Sequence, residues 1–394
     1  MHQTRTQGMH KLFKGLLELV QSLGRTSIEV YEWNQVDVRK KRLPNGSTLV
    51  GLSTKHRGLS FSGCSLAHAV VKVDYMDRRN LTMPGLGFLL QACSVIDFGK
   101  SPIELKLGAS KALNDFSLSS MAGRVGQGLA ILYGHRLGLT FCAHLRSHVE
   151  SLPAGSAGLL HKNEAMADFL FANDQQTVII ESKGSFSLQE NNPSPIKALL
   201  KAALQDQVDP WMLYLQPTPS NGFVIYSCVR EGGSEPSAMF VVDPEGGSVE
   251  SSDVPLSVEE VMRENYGAWL RAMGMTDSAE RLMNSSPDAR GPVEYNFLIV
   301  EVVGRKFAFL NDSQPYMPFY YEPWVSRRIG IGLDFFVLEA ISSAIQYSDA
   351  SLQALLANFH DLSEFSYRDA SIFPDGSIFG LFEFEVIEYV QVLL

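Results

Sequence analysis

The segment ADFLFANDQQTVIIESKGSF, residues 167–186, decides how this chain is read. Two apolar runs, 167–172 and 177–180, flank a polar stretch at 173–176, which is the pattern of a β-hairpin. Strand side chains alternate faces, so Glu181 and Lys183 point one way and Ser182 the other. In the simplest register Asp168 lies beside them, and two carboxylates and an ammonium meet at one strand end. Paired carboxylates hold a hard divalent cation such as Mg2+ or Mn2+ through oxygen, with several waters retained. An ammonium beside that ion can orient or deprotonate a water, a layout suited to metal-assisted phosphodiester hydrolysis. The plain alternative for the same three residues is a salt bridge at a sheet edge.

Outward from the hairpin, residues 118–137 read as a helix containing Gly123, Gly126, Gly128 and Gly134. Each glycine costs a helix up to ~1 kcal/mol against alanine. Four of them predict close approach of another backbone, with the helix buried against a sheet. A strand at 139–145 and irregular chain at 146–163 lead into the hairpin. Beyond it, Pro195 suits the first turn of a helix over 196–208, on which Lys197, Lys201 and Gln205 share a face. Asp209-Pro210 ends or kinks that helix, and strands follow at 222–229 and 238–242. The order helix, strand, strand, strand, helix, strand predicts an α/β unit: a central mixed sheet flanked by helices.

This order, with Asp168 followed after twelve residues by Glu181-Ser182-Lys183, resembles the PD-(D/E)xK nuclease superfamily and its restriction-endonuclease-like core. The match covers under a third of the chain. The resemblance implies that Asp168 and Glu181 ligate Mg2+ with help from the Ser182 carbonyl, while Lys183 orients or activates the attacking water. It assigns the place of a further helix acid to Gly126-Gln127, where a weaker amide donor replaces a carboxylate. The proline usual before Asp168 is replaced by Ala167. Lys197 and Lys201 would border such a site and reach a phosphate or the carboxylates. DNA is implied ahead of RNA, in the setting of restriction or anti-phage defence. The rival reading is an interaction or regulatory protein built on a nuclease-derived core, and Gln127 and the acidic C-terminal region favour it.

Charge is unevenly spread along the 394 residues. Residues 1–80 hold 13 Lys and Arg against 6 Asp and Glu, whereas residues 231–394 hold 9 against 26, within a net charge of −10. The basic cluster Arg39, Lys40, Lys41 and Arg42, with His161 and Lys162 before the hairpin, is the candidate nucleic-acid contact; solvated loop is its plain alternative. A phosphate backbone would repel the acidic C-terminal part, which suits a protein partner better. The division expected is a basic, β-rich unit over 1–115, the core at 116–245, and an acidic α+β unit over 254–394. A homo-oligomer is compatible with all of this.

Other patterns carry less. The composition, 45% hydrophobic and 19% charged, is that of a soluble globular protein. No apolar run reaches membrane-spanning length, no signal peptide is evident, and four scattered cysteines form no CxxC pair, so a reducing, cytoplasmic setting is expected. His144 and His148 have zinc-like spacing but no third ligand. A second Glu-x-Lys, Glu104-Leu105-Lys106 after Asp97, lacks the surrounding order. A helix is expected over 9–23, strands over 27–33, 47–53 and 67–75, and a hairpin over 88–107. Phe373-Pro374-Asp375-Gly376 reads as a turn and nothing more.

Overall fold

The computed structural model describes residues 24–40, 48, 50–76, 85–109, 115–151, 165–186, 193–233, 235–243, 254–283, 291–311, 327–347, 350–359, 365–367, 370–383 and 385–394. In the first half of the chain the strands are β1 (Arg25–Trp33), β2 (Ser53–Ser62), β3 (Ile96–Asp97), β4 (Glu104–Leu105), β5 (Phe141–His144), β6 (Phe169–Ala172), β7 (Thr177–Phe186), β8 (Leu215–Gln216), β9 (Asn221–Val229) and β10 (Ala238–Val242). The helices among them are α1 (Gln35–Arg39), α2 (Gly63–Met76), α3 (Gly85–Val95), α4 (Asp115–Arg136), α5 (Leu145–Ser151), α6 (Pro193–Ala203) and α7 (Asp209–Tyr214). A π-helical turn, Leu204–Val208, joins the last two.

The hairpin forms in the expected register, with Phe169 opposite Ile180 and Ala172 opposite Thr177. It lies in a seven-stranded mixed sheet of order β2-β1-β10-β9-β7-β6-β5, in which β7 runs parallel to β9 and β1 parallel to β10. Strand β6, residues 177–180 of β7 and most of β9 are apolar and buried, as expected of inner strands covered on both faces. The helix, strand, strand, strand, helix, strand order is present, with α5 added where irregular chain was expected.

Three expectations are corrected. Residues 67–75 are not a strand but lie within α2, capped by the Ser62 hydroxyl, which accepts from the Ser65 N–H at 3.0 Å. Every residue from Gly63 to Val73 is buried, so this helix shows no amphipathic period and its valines imitate a strand. Residues 88–107 are a helix followed by a two-residue ladder, not a long hairpin. The β-rich stretch near the start is not a separate unit: β1 pairs directly with β10, so residues 25–62 extend the central sheet. The helix expected over 9–23 lies outside the described residues.

After the short β11 (Val254–Pro255) come α8 (Val258–Ala272) and α9 (Thr276–Met283), separated by a turn at Gly274. An antiparallel sheet follows, built from β12 (Glu294–Val302), β13 (Arg305–Leu310), β14 (Arg327–Asp334), β15 (Phe365–Tyr367), β16 (Ala370–Ile372), β17 (Ser377–Glu383) and β18 (Val386–Leu393), with α10 (Phe335–Gln346) and α11 (Leu352–Leu355). Its order is β15-β16-β17-β14-β13-β12-β18. No helix among the described residues is long and apolar enough to cross a membrane.

The turn at Asp375 is where the two sheets are tied. Lys72 on α2 and Asp375 form an ion pair at 2.5 Å with both side chains wholly buried. Asn265 on α8 donates to Asp375 Oδ2 at 2.7 Å, and its own Oδ1 accepts from the Cys142 N–H on edge strand β5. The Ser377 N–H and hydroxyl donate to Asp375 Oδ1 at 3.0 and 2.6 Å. Burial pushes the Asp375 carboxyl up, but the Lys72 ammonium and these hydrogen bonds outweigh it and hold the group well below the usual carboxylate range. Asp375→Ala strands a buried ammonium and should cost about 3–5 kcal/mol in denaturant unfolding. Because the folded-state pKa is depressed, the contribution of Asp375 is complete above the ordinary value of ~3.9 and fades as pH falls below it. Acid unfolding of the wild type should therefore show a component that Asp375→Asn lacks.

Candidate functional site

Pairing of β6 with β7 ends at Phe169, one residue short of Asp168. The ladder continues through side chains instead. The Asp168 N–H donates to Glu181 Oε2 at 3.0 Å, while Asp168 Oδ2 accepts from the Ser182 N–H at 3.0 Å and the Ser182 hydroxyl at 2.6 Å. Each carboxylate thus caps backbone that the missing strand would have paired. Lys183 Nζ donates to Glu181 Oε1 and, at 3.0 Å, to Gln207 Oε1. Asp168, Glu181, Ser182 and Lys183 are therefore joined in one hydrogen-bonded group at the end of the hairpin.

The group is held from above by α4. A Cβ on Gly126 would stand 2.7 Å from the Gly184 Cα, and one on Gly184 would overlap the Ala122 carbonyl. Helix and strand backbones touch here, next to Lys183, and only glycine on both sides permits it. The expected burial of the glycine-bearing helix against a sheet is realised at this contact.

Burial dominates the electrostatics. Glu181 is 1% exposed. Desolvation first, then the Asp168 charge, push its carboxyl up to about 8, against the opposing pull of Lys183. A hard cation would find two carboxylates and the Ser182 carbonyl, all oxygen donors, at a site short of positive charge, so the donor set fits Mg2+. Among the described residues no group of three His, Cys, Asp or Glu side chains could hold a metal. Waters would have to complete the coordination.

The other candidates are placed differently. Gln127 is half-buried on α4 and has no hydrogen bond to the Asp168 group. Lys197 is buried and its Nζ donates to the Lys40 carbonyl, not to the carboxylates. Lys201 is half-buried one turn further on, and Gln205 is exposed. Arg39 forms a bidentate pair with Asp209, at 2.8 and 2.9 Å, and Lys40 pairs with Asp37 at 2.5 Å. These two side chains are engaged within the chain. Lys41, Arg42, His161 and Lys162 lie outside the described residues. His148 is buried with Nδ1 3.2 Å from Glu264 Oε1. Asp97 and Glu104 face each other across the β3–β4 ladder, and Lys106 donates to the Cys93 carbonyl.

Gln207 is the residue that sequence periodicity misses. A regular helix puts Lys197, Lys201 and Gln205 on one face, but the Asp209 N–H bonds the Leu204 carbonyl five residues back, the mark of a π turn. Within this turn Gln205 is exposed and Gln207 reaches Lys183. The signal available was Pro210, which crowds the helix a turn before it.

No family model, no curated protein and no solved structure matches the chain.

The raised Glu181 pKa has a defined consequence for stability. Between its ordinary value of 4.5 and about 8 the folded state holds a proton that the unfolded chain has released. Stability should fall with rising pH across this window. Glu181→Gln should remove that slope and raise Tm more at pH 8 than at pH 5, with no metal added. Thermal melts at the two pH values check it.

Proposed function

We propose that this protein is a Mg2+-dependent nuclease of the PD-(D/E)xK type, hydrolysing phosphodiester bonds in DNA ahead of RNA. The observation that carries this reading is the gathering of Asp168, Glu181, Ser182 and Lys183 at one strand end with Glu181 buried. Asp168, Glu181 and the Ser182 carbonyl would hold the ion, which when bound supplies positive charge to the scissile phosphate and acidifies a coordinated water.

The chain's own residues account for the rest. Glu181 is buried and Asp168 half-buried, so little water screens their charge, and a cation held there would favour the ionised form of Glu181. The ammonium of Lys183 has three donors. Two are taken by Glu181 and Gln207, and the third has no partner among the described residues, leaving it for a water or a phosphate oxygen. The preference for DNA and a role in restriction or anti-phage defence rest on the family resemblance alone. A net charge of −10 opposes unaided binding to a phosphate backbone, so a protein partner, engaged through the acidic C-terminal region, is part of the proposal.

The second reading is an interaction or regulatory protein of the same ancestry. It is favoured by the absence of an acid at Gln127, by the acidic C-terminal region, and by the way Glu181 already accepts from the Asp168 N–H and Asp168 from the Ser182 N–H. Incubation with supercoiled plasmid, linear duplex and RNA, each with Mg2+, Mn2+ or EDTA, separates the two. Metal-dependent cleavage is expected. Lys183→Ala should keep the Mg2+-dependent rise in Tm and lose roughly 10²–10⁴-fold in rate, whereas Asp168→Asn should lose both. A wild type with neither cleavage nor a metal-dependent Tm shift returns the chain to the second reading.

A further inference from the structure

We infer that Gln207 is the positioning residue of this site, a two-ended brace that fixes Lys183 to the chain entering Asp168. The inference rests on the reading of Asp168, Glu181 and Lys183 as a hydrolytic site. At one end of the brace Gln207 Oε1 accepts from Lys183 Nζ at 3.0 Å; at the other, Gln207 Nε2 donates to the Met166 carbonyl at 3.0 Å. A carbonyl cannot donate, so the amide nitrogen must face Met166 and the amide oxygen must face the ammonium. The orientation is fixed by chemistry at both ends.

A second bond runs alongside. Four residues on, the Trp211 indole N–H donates to the Ala165 carbonyl at 2.9 Å, and Trp211 is fully buried. Two consecutive carbonyls just before Asp168 are thus clamped by consecutive turns of one helical segment. The π turn is what makes this possible, since it brings Gln207 round to Lys183 while keeping Trp211 in the core. Such turns cost a helix its regular hydrogen bonds and occur frequently at functional sites. With Glu181 and Gln207 as its two acceptors, the Lys183 ammonium is held at a defined point, and its remaining donor is aimed. Gln207 does not itself have to touch substrate.

The test uses the full chain and two near-isosteric variants. Gln207→Met removes both ends of the brace, and Gln207→Glu keeps an acceptor for Lys183 but loses the donor to Met166. The first readout is the acetylation rate of Lys183 at fixed pH, followed by peptide mass spectrometry, which needs no turnover. It should rise roughly 10-fold in Gln207→Met, as expected for loss of a hydrogen bond to a charged group, and stay near the wild-type value in Gln207→Glu. The second readout is Mg2+-dependent cleavage of duplex DNA, where Gln207→Met should lower kcat about 10-fold or more with KM little changed, and Gln207→Glu should recover much of it. Equal acetylation of Lys183 in wild type and Gln207→Met overturns the brace, whatever happens to activity. If Gln207→Met does not fold, loss of Lys183 protection in Gln207→Glu overturns it instead. A wild type that cleaves no nucleic acid overturns the hydrolytic reading, and the acetylation rates still decide the brace.

Discussion

The ion pair between Lys72 and Asp375 is the constraint around which the two sheets are assembled. Both side chains are wholly removed from water, and a buried charge persists only when its partners are complete. Asp375 therefore draws donors from α2, α8 and its own turn, while Asn265 simultaneously satisfies an outward N–H of the edge strand β5. Nearby His68 stacks on Phe373 with ring centroids 3.7 Å apart and bonds the hydroxyls of Ser371 and Ser377. Burial holds its pKa well below the ordinary value, so it stays neutral and adds no second cation beside Lys72. One core thus runs through both sheets, and the acidic C-terminal region is locked to the rest of the chain by chemistry that tolerates no loose fit.

From that pair a series of close contacts leads to the candidate site. Lys72 belongs to α2; a Cβ on Gly128 of α4 would stand 2.9 Å from Leu66 and Val70 of α2, so these helices meet at a glycine. Two residues earlier, Gly126 meets Gly184 on β7, beside Lys183. The other face of β7 receives the Gln207 brace. Lys183 is consequently fixed from both sides of the sheet, which is what a positioned ammonium needs if it is to direct a water or phosphate oxygen. Overpacking such contacts costs ~1–3 kcal/mol, so the spacing of α4 from the sheet is itself tightly set.

Electrostatics at the two places is opposite in sense. At Asp375 the positive partner and the hydrogen bonds exceed the burial penalty, and the carboxylate is stabilised as an anion. At Glu181 burial and the neighbouring Asp168 exceed the pull of Lys183, and the carboxyl resists ionisation. The first arrangement is complete as it stands; the second has room for further positive charge. That difference separates an ion pair whose charges are balanced from one whose carboxyl resists ionisation, although each contains a lysine and a carboxylate in contact. Of the basic residues expected to contact a phosphate backbone, Arg39 is paired with Asp209 and Lys40 with Asp37.

The amino-acid sequence by itself determined the hairpin, its register and the approach of Asp168 to Glu181, because strand alternation and a short polar turn are local properties. It also determined the glycine-lined helix, since four glycines in one helix make sense only against another backbone. Only the tertiary structure decided the rest. Helix α2 is buried all round and so carries no period to read; β1 joins β10 across two hundred residues, a pairing that no local pattern specifies. Lys197 was expected beside the carboxylates and is drawn to the Lys40 carbonyl, while Gln207 takes its place through a π turn that shifts the helical face. Asp375, read as a surface turn, is buried because its partners come from helices some 110 and 300 residues away in sequence. Local composition reports what a segment can form, whereas burial, and with it the behaviour of every charged side chain here, depends on which distant segments cover it.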